Sequence, residues 1–508
     1  MLLLNCKNLK KIIALGLTLV MTVPFISGCA SNPPSKGEET SDNAGGSNAE
    51  TTETIPEKTG YSADYLPGVD YGGYEFRVVA CPSELSGMHT SIIIEEETGD
   101  PVNDAIYRRN RIVEEKYGIK FTQIDALDWA ELDSEFQKSV VSGSDDFDLG
   151  QMAGGHAFNS VVTGKAVLPK NLPYIDVSQP WYVQGVNEQF TIAGKMFLAY
   201  SDECLNLLEQ TQCVLFNKKL VDDLLIESPY DFVRNSTWTV DKFFDMAKSA
   251  AADLNGDGQM TDTDRYGIVS THDFFYPNFW VSSGIKPISK DADGLLVFIQ
   301  NPEKLYNILE KVYEKVNGDG KILFEAHNDA APSFKGLDAY NIARRMFSNN
   351  QGLFYPSALV SVQELRSMDT DFGIIPFPKY DEAQEKYYTN GWDGWIYCVP
   401  VTNTDLERTS VIMEALAVES KNLVIPEFLE TALHTKYVRD DESLDMLNII
   451  EQNRTMDFSI GIVSKVRMCL VYDGLAQKKN NFASLIEKDM NQIEKRLEEL
   501  NDAALSLD

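Results

Sequence analysis

Strand-like and helix-like segments alternate along the chain from Gly72 onward, and this alternation limits the folds open to it. Tyr74–Ala80 alternates apolar and polar side chains with a period of two, as a half-buried strand does. Val102–Tyr117 carries an apolar stripe at helical spacing, Gly118 follows as a stop signal, and Ile119–Ile124 again has the pattern of a strand. This succession predicts an α/β fold with a largely parallel sheet.

Further helices and the length of the chain indicate more than one core. Helical spacing of apolar residues predicts helices at Asp241–Ala252, Pro302–Val316, Asp405–Ser420 and Phe482–Leu500. The ordered part of roughly 430 residues exceeds the roughly 250–300 residues at which one hydrophobic core stops growing. We therefore expect two.

The first thirty residues are typical of an export signal. Lys7, Lys10 and Lys11 precede Ile12–Ile26, an uncharged and mostly apolar run that is shorter than the roughly 20 residues of a bilayer span. The following Ile26–Cys29 resembles the lipobox of bacterial lipoproteins, in which the Cys is diacylated on sulfur and becomes the new N-terminus.

We therefore predict a lipoprotein signal peptide at 1–28 and lipidation at Cys29, which would place the protein on the outer face of the cell membrane. Two acyl chains hold a protein on a bilayer almost permanently. Residues 29–60 are rich in Ser, Thr, Gly, Asn, Glu and Pro, so they predict a flexible tether. The alternative is an ordinary secretory signal with a chance Cys.

The net charge argues against nucleic acid as a partner. The chain has 45 basic and 77 acidic residues, which gives −32, and a protein this acidic repels phosphate backbones.

Common catalytic motifs are absent from the sequence. It contains no phosphate-binding loop, dinucleotide fingerprint, Gly-x-Ser-x-Gly elbow or His-Glu-x-x-His pair. We interpret the five histidines as surface or satisfied polar residues, since no two have ligand spacing on one helix: His89, His156, His272, His327 and His434. Carboxylates are so numerous that a glycosidase pair stays open, but none can be chosen from sequence.

Asp253–Asp264 matches the calcium-loop pattern, with Asp in place of Glu at the twelfth position. Gly258 allows the sharp turn that the loop needs. The predicted ligands of a structural Ca²⁺ are Asp253, Asn255, Asp257, the backbone carbonyl of Gln259, and Asp264. The segment after the loop has a strand pattern, which disfavours a two-helix calcium switch. An Asx-rich turn without metal is the alternative.

Several phrases, in order, carry a family resemblance. After the lipobox and tether come Gly99–Ile119, Gly194–Tyr200, Val214–Lys219, Trp238–Phe243 and Asp371–Asp381. Together they resemble the family 1 extracellular solute-binding proteins, the maltodextrin-binding-like receptors of carbohydrate ABC importers. The resemblance covers about residues 73 to 505.

The resemblance implies a two-lobed periplasmic-binding-protein-like fold of type II, with a ligand cleft between hinged α/β lobes. By position, it places chain crossovers near Tyr200–Glu203, Gly391–Ile396 and Arg439–Leu447. Lobe I would comprise 73–201 plus 395–440, and lobe II 202–394 plus 441–508. It further implies a protein that is not an enzyme, is monomeric, and has a sugar or oligosaccharide and an ABC permease as partners.

Carbohydrate sites pair an aromatic face with planar polar side chains. Two aromatic clusters, His272–Trp280 and Asn390–Trp395, fit this requirement, and acidic residues lie at the expected first crossover. The predicted ligand contacts are Asp202, Glu203, Phe275, Tyr276, Trp280, Tyr355, Trp392, Asp393 and Trp395. The alternative for each aromatic residue is ordinary core or hinge packing.

Two other functions share these features. A secreted glycoside-active enzyme would also be acidic and rich in aromatic residues. A peptide-binding receptor or adhesion module would share the anchor and tether. Turnover of oligosaccharide would identify the enzyme, and competition by peptides would identify the peptide receptor.

Overall fold

The computed structural model describes residues 60–318, 321–365, 367–392, 394–433, 441–460 and 468–507. The predicted signal peptide, Cys29, the tether up to residue 59 and Asp393 lie outside the described residues. Within the described ranges, no helix is both long enough and apolar enough to cross a membrane.

Short strands supply the sheets. They span Tyr74–Ala80 (β1), Ile119–Asp125 (β2), Leu149–Ala153 (β3), Thr191–Ile192 (β4), Lys195–Met196 (β5), Gln212–Asn217 (β6), Tyr266–Ser270 (β7), Ile288–Lys290 (β8), Leu296–Phe298 (β9), Leu323–Glu325 (β10), Gly352–Ala358 (β11), Phe372–Ile375 (β12), Thr389–Asn390 (β13), Trp395–Cys398 (β14) and Arg454–Thr455 (β15).

Helices surround the sheets. They span Ser83–Ser86 (α1), Pro101–Tyr117 (α2), Trp129–Ser142 (α3), Gly154–Val162 (α4), Gln184–Asn187 (α5), Asn206–Glu209 (α6), Lys218–Asp223 (α7), Pro229–Arg234 (α8), Val240–Ala250 (α9), His272–Ser282 (α10), Glu303–Asn317 (α11), Ala339–Ser348 (α12), Val360–Glu364 (α13), Leu406–Glu419 (α14), Ile425–Leu433 (α15), Asp441–Gln452 (α16), Cys469–Ala476 (α17) and Phe482–Ser506 (α18).

The predicted elements are confirmed, with ends shifted by a few residues. Local chemistry sets the ends of α2: Asp100 accepts the amides of Val102 and Asn103 at 3.1 Å each, and Pro101 opens the helix. At the other end Gly118 has a φ of 59°, the left-handed conformation that glycine adopts most easily.

The first sheet has the strand order β14-β3-β1-β2. Strand β1 is parallel to both β2 and β3, whereas β14 is antiparallel to β3. Strand β1 sends Phe76, Val78 and Ala80 into one apolar cluster and Val79 into another, so both of its faces are covered. This burial on both faces is typical of α/β sheets.

The second sheet has the strand order β10-β7-β11-β6-β12. Strands β10, β7 and β11 are mutually parallel, so their carboxyl ends at Glu325, Ser270 and Ala358 lie at the same edge. Helix α10 begins just after β7 at that edge. In open α/β sheets, ligands bind outside the carboxyl ends of the strands, so this edge is where a site is expected.

The close approach of α9 to β7 explains a glycine in the second sheet. A Cβ atom on Gly267 would lie 2.0 Å from the carbonyl oxygen of Ala247. Only a residue without a side chain lets the helix pack this closely on the strand.

Three segments that are distant in the sequence meet one another. The Tyr200 hydroxyl donates to the carbonyl of Gly394 at 2.9 Å, and the Gly391 amide donates to the carbonyl of Thr455 at 2.7 Å. Strand β13 also pairs in parallel with β15. Residues 200–209, 389–395 and 454–460 therefore form one connected region, here called the crossing region.

The predicted crossovers at Tyr200–Glu203 and Gly391–Ile396 fall within or next to the crossing region, and the one at Arg439–Leu447 falls partly outside the described residues. The lobe boundaries stay a prediction. Helix α18 packs with Phe482 and Ile486 in a cluster of the second sheet, and with Ile493 and Leu497 in a cluster of the first.

Candidate functional site

Asp202 is buried at the crossing region and is engaged internally. Its side chain is 3% exposed, and its carboxylate lies 3.2 Å from Lys421 Nζ and 4.0 Å from Arg454 Nη2. Burial raises the pKa of Asp202, although the charges of Lys421 and Arg454 act in the opposite direction. Burial likewise works against the charge on Lys421, yet the carboxylates of Asp202 and Glu451 raise the pKa of that lysine. The structure thus gives Asp202 an ion-pair role in place of an open surface for sugar hydroxyls.

Glu203 faces the interior as well. It lines a cavity of about 30 Å³ together with Tyr182 and Tyr397, and its Oε2 has no hydrogen-bond partner among the described residues. Burial, and then the nearby carboxylate of Glu414, raise the pKa of Glu203 to about 8, although the charge of Arg109 works in the opposite direction. This environment favours a protonated, neutral Glu203.

The raised pKa of Glu203 predicts that stability falls with rising pH. Between the ordinary value of 4.5 and about 8, the folded state keeps a proton that the unfolded state has released. The stabilising contribution of the protonated Glu203 is therefore complete below pH 4.5, and it is lost as the pH rises through about 8. Relative to Glu203→Gln, the natural protein should lose about 2 kcal/mol of unfolding free energy between pH 6 and pH 8. Urea denaturation at both pH values checks this, and parallel behaviour of the two proteins would contradict it.

Four of the predicted contact residues pack in the cores. On α10, Phe275 and Trp280 are 0% exposed and Tyr276 is 3% exposed, while Tyr355 on β11 is also 3% exposed. The Trp280 Nε1 donates to Asp457 Oδ2 at 2.5 Å. Because Phe275, Trp280 and Tyr355 are enclosed by protein, they offer no free face to a sugar. Tyr276 borders a cavity of about 220 Å³.

The second aromatic cluster is more accessible. Trp392 and Trp395 are both half-buried, and the Trp395 amide donates to Asn206 Oδ1 at 2.8 Å. Trp392 has a φ of 49°, a left-handed conformation that is costly for a bulky residue and that is enriched at binding sites. Asp393 lies outside the described residues. The ligand-contact role of Trp392 and Trp395 stays a prediction.

A continuous row of aromatic and imidazole rings runs through this surface, and we call it the ring chain. Its members, in order, are Trp392, Phe274, Tyr340, His327, His272 and Tyr472. The successive ring centroids are 6.0, 5.5, 5.5, 4.4 and 5.8 Å apart. All of these residues are half-buried or exposed, so the ring chain presents faces to a ligand.

Polar atoms that lack partners cluster beside the ring chain. Of the fifteen buried side-chain nitrogen and oxygen atoms without a hydrogen-bond partner among the described residues, six belong to residues 271–278 and 389–390. They are Thr271 Oγ1, His272 Nδ1, Asp273 Oδ1, Asn278 Oδ1, Thr389 Oγ1 and Asn390 Nδ2. Buried polar groups are nearly always hydrogen-bonded, so such a cluster is typical of a surface that a polar ligand completes.

The carboxylates at the ring chain are held by neighbouring donors. Asp273 Oδ2 accepts the Tyr340 hydroxyl at 2.6 Å, and Glu325 Oε1 accepts the backbone amides of His272 and His327 at 2.9 and 3.2 Å. Burial alone would raise the pKa of Glu325, but the two imidazoles lower it to about 2.

Sequence reasoning missed most of the ring chain. Phe274 stood in the cluster His272–Trp280 but was not chosen, and His272 and His327 were interpreted as ordinary polar residues. The signal that could have found them is position: both histidines follow the carboxyl end of a parallel strand by two residues, at β7 and β10. Tyr340 and Tyr472 carry no comparable local signal.

The predicted calcium loop forms a compact set of turns. Asp253 accepts the amides of Gly256 and Gly258, each at 2.7 Å, and both glycines have positive φ. Asp264 is fully buried and accepts the amides of Leu254 and Thr261 at 2.9 and 2.8 Å. Carboxylate and amide oxygens therefore line this turn, and such donors suit a hard cation.

No protein-family model matches the chain, and no curated protein matches it. Solved structures do match. One is a cyclo/maltodextrin-binding protein complexed with maltotetraose, with a TM-score of 0.56 and 13% identity over 83% of this chain and 97% of that chain.

Two further structures have the same fold. A sugar transporter from Rhizobium etli in an open conformation has a TM-score of 0.52 and 15% identity, over 86% of this chain and 100% of that chain. The GacH receptor of Streptomyces glaucescens, solved unliganded and with acarbose, has a TM-score of 0.52 and 12% identity, over 85% and 99% of the two chains. These likenesses confirm the predicted fold class, the two-lobed α/β fold of type II periplasmic-binding proteins.

Proposed function

We propose that this protein is an extracellular, lipid-anchored substrate-binding protein that captures a sugar or oligosaccharide and delivers it to an ABC importer. The observation that carries the proposal is the cluster of unpartnered polar atoms beside the ring chain. A pyranose offers an apolar C–H face to a ring and hydroxyl groups that both donate and accept hydrogen bonds. The similar structures include a maltodextrin-binding protein complexed with maltotetraose and a sugar transporter, which supports this ligand class.

Binding needs no bond chemistry. In a two-lobed protein, a ligand that touches both lobes shifts the population toward a closed form, which a permease can recognise. The crossing region supplies connected segments around which such a movement can occur. The protein thus acts as a monomeric receptor, and a separate ATPase supplies the energy for transport.

The N-terminal residues support the location in this proposal. The lipobox-like Ile26–Cys29 and the polar tether after it are the features expected of a binding domain that is anchored on the outer face of the membrane. Mass spectrometry of the membrane fraction tests this, since a diacylated Cys29 at the N-terminus is expected. Release of an unmodified chain into the medium would contradict it.

Replacing Trp392 with Ala should weaken sugar binding by about 10- to 100-fold, because a ring that covers a sugar face contributes roughly 1.4–2.8 kcal/mol. Isothermal titration calorimetry against a panel of glycans measures the effect. Trp392→Phe keeps an apolar face and should lose less. Unchanged affinity in Trp392→Ala would remove this residue from the site.

The same panel separates a receptor from an enzyme or a peptide receptor. A receptor returns the oligosaccharide intact and in stoichiometric amount, which chromatography of the recovered ligand verifies. Cleaved products would instead favour a glycoside-active enzyme. Peptides that outcompete every sugar in a thermal-shift assay would favour a peptide receptor.

We also propose that the loop Asp253–Asp264 binds a structural Ca²⁺. The ligands would be Asp253, Asn255, Asp257, the carbonyl of Gln259, and Asp264. These carboxylates now accept backbone amides, so binding requires them to turn toward the centre of the loop. A bound ion would replace those amides as the partner of the negative charges.

Removing Ca²⁺ with a chelator should lower the melting temperature. If the free Ca²⁺ concentration before chelation is 100 times its Kd, removing the ion lowers the free energy of unfolding by about 2.7 kcal/mol. Differential scanning calorimetry with and without chelator measures it, and sugar specificity should be retained. Asp257→Asn is the control, since its melting temperature should no longer respond to chelator. A natural protein that shows no response would argue for a turn without metal.

A further inference from the structure

Two imidazoles and a carboxylate converge within the ring chain. One ligand atom from each of His272, Asp273 and His327 lies within 4.8 Å of the other two. No other group of three or more His, Cys, Asp or Glu meets that criterion in the described part of the chain. We propose that these residues bind one divalent transition-metal ion of the Zn²⁺ class.

The type of donor selects the metal. Imidazole nitrogen suits Zn²⁺, Cu²⁺ and Ni²⁺, whereas Ca²⁺ and Mg²⁺ prefer oxygen ligands throughout. Two imidazoles with one carboxylate match the donor sets of zinc sites that keep an open position. Four cysteines whose side chains the structure describes, Cys81, Cys204, Cys213 and Cys398, are buried free thiols. These four thiols therefore offer no accessible competing ligand.

One atom in the group lacks the partner that burial demands. Asp273 Oδ2 is held by the Tyr340 hydroxyl, but Oδ1 has no hydrogen-bond partner among the described residues. An unsatisfied buried atom of this kind calls for a specific explanation such as an ion. A cation beside Asp273 would satisfy the carboxylate.

Glu325 contacts both imidazoles, as a carboxylate usually does where histidines bind zinc. Its Oε1 lies 3.4 Å from Nδ1 of both His272 and His327, and it also accepts the backbone amides of both residues. A carboxylate behind an imidazole fixes the orientation of the ring and raises the basicity of the other nitrogen. The Nε2 atoms are thereby left for the metal.

Asp473 supplies a further carboxylate. Its Oδ1 lies 3.4 Å from His272 Nε2. In a tetrahedral site with bonds of about 2.0–2.1 Å, neighbouring ligand atoms are roughly 3.3–3.4 Å apart. That pair therefore already has the spacing of two ligands on one ion.

The ion would tie together three separate elements. His272 and Asp273 open α10, His327 follows β10, and Asp473 lies on α17. A metal at this point would fix the spacing of the segments that carry the ring chain. This inference goes beyond the proposed function, because metal binding is measured without any sugar present.

The test is isothermal titration calorimetry of the full, untagged and metal-stripped chain with Zn²⁺. Millimolar Ca²⁺ is present throughout to occupy the loop Asp253–Asp264. We expect one Zn²⁺ per chain. His327→Ala and Asp273→Asn should each weaken binding by at least about tenfold. Titration with Co²⁺ should give the d–d absorption of a four-coordinate site, and His327→Ala should abolish it.

The control is His156→Ala. The His156 Nδ1 lies 3.0 Å from Asp133 Oδ2, and this pair belongs to no group of three ligands in the described residues. This variant should bind Zn²⁺ as tightly as the natural chain. Absence of stoichiometric binding, equal binding in His327→Ala, or equal loss in His156→Ala would each overturn the proposal. Because His327 is exposed, its replacement leaves the fold intact, which a thermal melt verifies.

Discussion

Replacing Trp280 with Ala is expected to lower the free energy of unfolding by about 3–5 kcal/mol. The indole is 0% exposed in the largest core cluster of the second sheet, so truncation leaves a cavity there. It also removes the donor that serves Asp457 Oδ2 at 2.5 Å, and Asp457 is itself 2% exposed. Burial raises the pKa of Asp457, and loss of the indole donor raises it further.

Urea denaturation followed by circular dichroism measures this loss. Trp280→Phe separates the loss of packing from the loss of the hydrogen bond, because the phenyl ring fills most of the volume but cannot donate to Asp457. We expect it to cost about 1–3 kcal/mol for the unpaired carboxylate. Trp129, which is 53% exposed, is the matched control, and Trp129→Ala should stay within about 0.5 kcal/mol of the natural protein. Equal losses at Trp280 and Trp129 would contradict the packing account.

The elements of the fold could be predicted because they follow local rules. The strand at Tyr74–Ala80 and the helix ending before Gly118 depend on side-chain period and on stop signals in the sequence itself. The pairing of β10 beside β7, by contrast, depends on which distant strands meet. Period and capping signals do not encode that order.

The candidate site was predicted only in part, and α10 shows why. Its apolar residues stand on all sides, so periodicity could not tell which rings face the core. The structure buries Phe275, Tyr276 and Trp280 and leaves Phe274 at the surface. Composition correctly marked the segment as aromatic, but selecting the exposed ring required the packing of the sheet behind it.

The two histidines of the ring chain were missed for a different reason. His272 and His327 lie far apart in sequence, so no ligand spacing on one helix could reveal them. They meet because β7 and β10 are parallel neighbours whose carboxyl ends share an edge. For Asp202 the error was the opposite one. Its place in the sequence suggested a ligand contact in the cleft, but its ion-pair partner Arg454 lies in a remote segment that the sequence did not bring to attention.

Replacing Asp202 with Asn is expected to lower the free energy of unfolding by about 3 kcal/mol, because removal of one partner leaves buried cations without compensation. Arg454 has a side chain that is 4% exposed, and Lys421 is 17% exposed. Glu451 lies 3.6 Å from Lys421 Nζ and 3.5 Å from Arg454 Nη2, so it offsets part of the loss. Sugar affinity, measured well below the melting temperature, should be unchanged.

The matched control is Asp223, whose partner Lys219 lies one helical turn away and whose side chain is 51% exposed. Asp223→Asn should cost less than about 1 kcal/mol, since exposed ion pairs contribute little. Adding Lys421→Met to Asp202→Asn should recover part of the stability, because it removes one of the unpaired cations. The opposite pattern, in which Asp202→Asn melts like the natural protein but loses sugar binding, would return Asp202 to the ligand site. Asp202 and Arg454 belong to two different segments of the crossing region, so a measured coupling between them would also show that this ion pair holds the two segments together.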